Sequence, residues 1–233
     1  MNWRIVAALV FGCFAASGAG QAQATALTLY NTGVTGPNNP DGTNGTQITS
    51  NDTVDSHYTV AGPNAGSTVY VVTDQPAYSA NSDSSSFVND TGSGQNGEPV
   101  GDYLYSTTFN IPANLNPATA TISGEFSVDN EMDNILLNGA SIGDGYPYAI
   151  GTGPGGFSSF TTFTIPAGSN FVTGTNTLTF EVYNAGTAAN PTAVNISLLE
   201  GTVAAAVPEP STLALFGMSV LGMFYFARPR RGR

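Results

Sequence analysis

The chain has no lysine, one histidine, one cysteine and one tryptophan among 233 residues. Its five basic residues are Arg4, Arg228, Arg230, Arg231 and Arg233, all close to an end. Of the 16 acidic residues only Glu209 lies beyond Ala206, which leaves 15 between Thr25 and Ala206 and no Lys or Arg to face them. Ion pairs to Lys or Arg are therefore excluded from the central segment. Each carboxylate there must be solvated, hydrogen-bonded to neutral groups or bound to a cation. Nucleic-acid binding is excluded, because nothing can neutralise phosphates. Anionic lipid surfaces are disfavoured for the same reason. Cys13 lies near the N-terminus, so the central segment has no disulfide, thiol nucleophile or thiolate metal site. A sustained helical period is also missing between Thr25 and Val203.

The ends have a different composition. Arg4 followed by the apolar run Ile5 to Ala16 and the small-x-small site Ala22-Gln23-Ala24 predicts a signal peptide over residues 1–24, with Thr25 opening the mature chain. At the other end stand Val207, Pro208, Glu209, Pro210 and Ser211. The two prolines fix φ and remove backbone donors, so no helix crosses them. Residues 211–227 carry no charge, and as a helix they span roughly 25 Å, close to a hydrocarbon core. Arg228, Arg230, Arg231 and Arg233 close the chain at 228–233 and predict a cytoplasmic end.

This three-part tail resembles the PEP-CTERM sorting signal of Gram-negative bacteria. The likeness rests on Val207 to Leu215, on Gly217 and Gly222, and on the arginine cluster. It implies recognition and cleavage by an exosortase, a membrane-embedded cysteine transpeptidase. It further implies a precursor anchored in the inner membrane and a product passed to the cell surface or the extracellular matrix.

Between the ends, apolar and polar residues alternate in short runs bounded by Gly, Pro, Asn and Asp, which is an all-β pattern. Strands are expected over Ala26 to Tyr30, His57 to Val60, Thr68 to Val72, Tyr103 to Ile111 and Thr119 to Val128. Others are expected over Asn134 to Leu137, Ser141-Ile142, Phe160 to Ile165, Thr177 to Tyr183 and Val194 to Leu199. Asn138-Gly139 signals a type I′ turn. Val194, Ile196 and Leu198 are expected to face inward, and Phe87-Val88 to tuck against the core. Asn31 to Asp55 and Gln75 to Gly101 read as long polar loops. The fold expected for residues 25–203 is a β-sandwich, followed by a linker with the Pro-Glu-Pro motif at 204–210. Asp129-Asn130, Ile135 to Gly139, Gly174 to Asn184 and Pro191-Thr192 resemble galactose-binding-like jelly-roll modules. That resemblance implies a jelly-roll and no particular ligand.

Catalytic material is scarce. His57 follows Ser56 on an expected strand, where neighbours point to opposite faces, so the two make poor partners. Glycoside hydrolysis needs only a pair of carboxylates and stays a distant alternative. Asp129, Glu131 and Asp133 alternate, so one strand would set all three on one face as a candidate calcium site. Tyr146 and Tyr148, on the glycine-rich stretch Gly143 to Gly156, are candidate sugar platforms. The expected role is a non-enzymatic surface or biofilm-matrix protein. The alternative is a carbohydrate-binding module for exopolysaccharide.

Overall fold

The computed structural model describes residues 23–40, 46–63, 65–78, 84–95, 97–142 and 156–206. Residues 1–22 of the expected signal peptide, Tyr146, Tyr148, the Val207 to Ser211 motif, the 211–227 segment and the arginine end lie outside them. Among the described residues no helix is long and apolar enough to cross a membrane.

Residues Ala24–Ala205 form one compact unit built from β1 (Ala24–Ala26), β2 (Val54–Ala61), β3 (Thr68–Val71), β4 (Val88–Asn89) and β5 (Gly101–Ile111), followed by β6 (Thr121–Asp129), β7 (Glu131–Leu137), β8 (Ala140–Ser141), β9 (Thr161–Ile165), β10 (Gly174–Asn184) and β11 (Ala193–Ala204). All pairings between strands are antiparallel. The order is β8-β7-β10-β5-β2-β3-β4-β11-β6-β9, with β1 added to β11.

The sheet curls so that strands far apart along it share one core. Phe163 on β9 meets Phe180 on β10 edge-on at 5.7 Å, and Phe126 on β6 lies 6.5 Å from Phe163. Gly124 on β6 makes this possible. A Cβ there would stand only 3.1 Å from the Phe163 ring and 3.2 Å from Leu199. Alternation sets the inner face: Tyr103, Tyr105, Phe109 and Ile111 on β5 are buried, as are Ile122, Phe126 and Val128 on β6 and Leu178, Phe180 and Val182 on β10. The β7–β8 hairpin turns through Asn138 (φ 52°) and Gly139 (φ 79°), the two positive-φ positions that a type I′ turn requires.

Two expectations from the sequence need correction. The first strand is Ala24–Ala26, not Ala26 to Tyr30. The residues after it leave the sheet but not the core, since Asn31, Thr32 and Val34 are buried. The second concerns β11. Val194 and Ile196 face inward, yet Leu198 is 40% exposed and Leu199 fully buried. A register shift between Ser197 and Glu200 is responsible, with Leu198 at φ 48°. One extra residue flips the alternation, so Leu199 and Val203 continue the inner row. Asn31 holds the bulge by accepting from the Leu199 amide at 2.9 Å, and Asn38 donates to the Leu199 carbonyl at 2.6 Å.

Candidate functional site

Asp129 ends β6 and Glu131 opens β7. These strands are not neighbours: β6 pairs with β11 and β9, and β7 with β10 and β8. The chain thus crosses between two parts of the curled sheet at Asp129-Asn130, whose peptide is cis. This corrects the expectation that Asp129, Glu131 and Asp133 share one face of one strand. Asp129 is 7% exposed and turns inward, where its Oδ2 accepts from the Tyr78 hydroxyl at 3.0 Å and its Oδ1 from Asn130 at 2.7 Å. Asp133 instead lies within the electrostatic reach of Glu181 on the adjoining β10 and of Asp102 on β5 beyond it; partial burial, then repulsion from Asp102, raises its pKa. Among the described residues no three His, Cys, Asp or Glu side chains are arranged to hold a metal ion.

The crossing point belongs to a buried polar network. Thr192 donates its hydroxyl to the Asp129 carbonyl at 2.6 Å and its amide to Glu98 Oε2 at 3.2 Å. Glu98 Oε1 accepts from the Thr91 hydroxyl at 2.6 Å and from Asn89 at 3.2 Å. The backbones of Glu98 and Asn190 exchange two hydrogen bonds of 3.0 and 3.1 Å. Tyr103 donates to the Pro99 carbonyl at 3.0 Å. Burial lifts the Glu98 carboxyl to about 7, moderated by Thr91 and pushed further by Asp90. Burial likewise lifts Asp129 to about 6 against the help of the Tyr78 bond. The cause is plain from composition: desolvated carboxylates here have only neutral donors, because no Lys or Arg lies between Thr25 and Ala206.

Glu98, Asp90 and Tyr78 were not singled out by sequence reasoning. They lie in the stretch read as a polar loop, where no periodicity separates a buried acid from a solvated one. Asn184 and Thr192 did fall within the stretches that carry the jelly-roll resemblance.

His57 stacks on Tyr30 with ring centroids 3.8 Å apart and planes 11° from parallel. Its own amide donates to Oδ1 of Asp55, whose Oδ2 accepts from Gly33 at 2.7 Å. Burial raises the Asp55 pKa, and those backbone donors partly offset it. This arrangement pins the 31–34 segment to β2. A shallow cleft of about 110 Å³ opens beside the β7–β8 hairpin, lined by Leu137, Ala140, Ser141, Ile142, Ser169 and Asn170. In sequence Ile142 is followed by the stretch that carries Tyr146 and Tyr148, which lies outside the described residues.

Comparison with known proteins adds one firm match. Residues 206–231 match the family model of the PEP-CTERM protein-sorting motif. No curated protein matches the chain. Among solved structures, the enzymatically active domain of bacteriophage CBA120 tailspike protein 4 aligns with a TM-score of 0.34 and 13% identity, over 64% of this chain and 19% of that one. So slight a likeness has no bearing on fold or activity. The C-terminal match does bear on destination: the chain carries the PEP-CTERM protein-sorting motif at residues 206–231, and that motif implies export as a membrane-anchored precursor and sorting by an exosortase.

Proposed function

We propose that residues 24–205 are a non-enzymatic β-sandwich of jelly-roll type, delivered to the cell surface or extracellular matrix as a structural component. The observation that carries this reading is the sorting motif at residues 206–231, directly behind one compact β unit. The curled antiparallel sheet, with Phe163 packed across the core on Phe180, supports the jelly-roll assignment. The perturbed acids Asp129 and Glu98 support a structural role: their oxygens are taken up by Tyr78, Asn130, Asn89, Thr91 and Thr192, within the fold.

A carbohydrate-binding role for exopolysaccharide is the second reading. The cleft beside Ile142, with Tyr146 and Tyr148 a few residues further along the sequence, favours it. Its size argues against a buried ligand, because small-molecule pockets commonly measure ~300–1,000 Å³. Fractionation of the native host, combined with a glycan array, separates the two readings. A matrix component accumulates in the matrix fraction and shows no saturable glycan binding. Saturable binding lost on Tyr146→Ala or Tyr148→Ala would establish the second reading instead.

A further inference from the structure

The sheet ends on two strands that protect their open edges differently. At one end, Glu131 to Asn134 of β7 have no strand partner on their outer side among the described residues, and the stretch is guarded. The rest of β7, at Leu136 and Leu137, is covered by β8. The register with β10 shifts between Glu181 and Val182, which makes Asp133 the extra residue of a bulge. Glu131 and Asp133 add two carboxylates. Bulges, charges and short covering strands keep an open edge from pairing with another chain.

At the other end stands β9, Thr161–Ile165, which has none of these devices. It carries no charge and no proline, since Pro166 comes one residue later, and the chain has no lysine to place there. Its register with β6 runs unbroken from Thr161 opposite Phe126 to Ile165 opposite Ile122. Among the described residues its backbone pairs with β6 alone, so alternate residues direct their N–H and C=O groups outward. Phe163 and Ile165 are buried in their own core, while Thr162 and Thr164 are exposed on the outer face. The edge therefore needs backbone partners and no apolar cover.

The strand is its own complement. Laid antiparallel on a second copy about Phe163, it sets Thr162 opposite the copy's Thr164, Thr161 opposite Ile165 and Phe163 opposite Phe163. Threonine pairs across antiparallel strands are favourable, and no like charges meet. Charge selects this edge in a segment with 15 acids and no Lys or Arg. Glu125, the outward-facing acid of the neighbouring β6, is in register with Thr162. In the paired state the two copies' Glu125 residues stand three strand spacings apart, about 14 Å, beyond the Debye length of about 8 Å at physiological salt. Pairing through β7 would instead bring the carboxylates of two copies to about one strand spacing, ~4.8 Å.

We propose that β9 is a dimerisation edge, through which two copies of the chain pair about a two-fold axis at Phe163 and join their sheets into one. The two-fold closes both free edges at once, and the guarded β7 adds no further copy, so the assembly stops at two. A matrix component and a carbohydrate-binding module can both dimerise in this way, so the pairing does not depend on either functional reading.

The test uses the full-length chain in density-matched detergent, with Cys13→Ser to remove the native thiol. Sedimentation equilibrium is expected to show a dimer. Thr162→Glu with Thr164→Glu sets glutamate against glutamate at two facing pairs and raises the dissociation constant at least about tenfold. Disulfide trapping reads the register. Opposed residues have Cα atoms about 4.5–5.5 Å apart, within disulfide reach, whereas Thr162 and its own symmetry mate are about 8 Å apart and beyond it. Thr162→Cys co-expressed with Thr164→Cys therefore yields a disulfide-linked dimer on mild oxidation, and neither variant alone does. Trapping decides the matter if the double glutamate variant does not fold. A chain that stays monomeric up to ~100 μM would overturn the pairing. So would a dimer that persists in the glutamate variant, or trapping as strong in either cysteine variant alone as in the two together.

Discussion

The hydroxyl of Tyr78 donates to Oδ2 of Asp129 over 3.0 Å, joining residues 51 apart in sequence. The pair closes the point where the chain passes from β6 to β7, and Tyr78 also packs against Phe87 at 4.4 Å and Phe157 at 6.2 Å. Together with Val72 and Ala193 these residues make a second small core beside the main one. A polar bond with an apolar body behind it is how a tyrosine locks a crossing in place.

Tyr78→Phe tests that lock. It keeps the ring packing and withdraws the donor from a buried carboxylate oxygen. A loss of about 1–3 kcal/mol in unfolding free energy is expected by chemical denaturation at neutral pH. The loss shrinks on the acid side, where a protonated Asp129 no longer needs the donor.

Stability depends on pH through the same acids. The folded pKa of Asp129 is raised from 3.8 to about 6 and that of Glu98 from 4.5 to about 7. A carboxyl whose folded pKa lies above its unfolded value holds its proton more tightly in the folded state. Its contribution is full below the unfolded pKa and fades as pH rises through the folded one. The melting temperature should therefore fall between about pH 4 and about pH 7, the reverse of the usual behaviour of salt-bridged acids. A melting temperature that climbs over that window would contradict the burial of these groups.

The bulge in β11 gives a pair of opposite predictions. Asn31 is buried, accepts from Leu199 and Asn38, and donates to the Ser84 carbonyl at 2.9 Å. Asn31→Ala strands several of these groups and should cost at least about 2 kcal/mol. Leu198→Asn should stabilise by about 0.5–1 kcal/mol, because asparagine tolerates the left-handed backbone that Leu198 adopts at φ 48°. Denaturant midpoints of the two variants measure both effects.

The inner faces of β5, β6 and β10 were legible in the sequence because period-two alternation over nine or more residues leaves one choice of buried face. The Asn138-Gly139 turn was legible for a local reason, its demand for positive φ. Leu198 was not, since a bulge inserts one residue without any compositional mark. Nor were the buried parts of the two long polar stretches. Asn31, Thr32, Ser85, Ser86 and Glu98 are buried polar residues with hydrogen-bond partners far off in sequence, and local hydropathy reports only solvent preference. The acidic triplet misled for the opposite reason: its spacing suits a single strand, but the chain changes strands inside it.

Destination is the central claim, and it rests on Pro208, Glu209 and Pro210 within the matched motif. The most direct measurement replaces all three with alanine in the native host and follows the chain by immunoblot of inner-membrane, outer-membrane and released fractions. The account predicts that the variant remains in the inner membrane as uncleaved precursor, while the unaltered chain appears trimmed outside it. A variant that is still trimmed and delivered to the surface would contradict exosortase sorting through this motif.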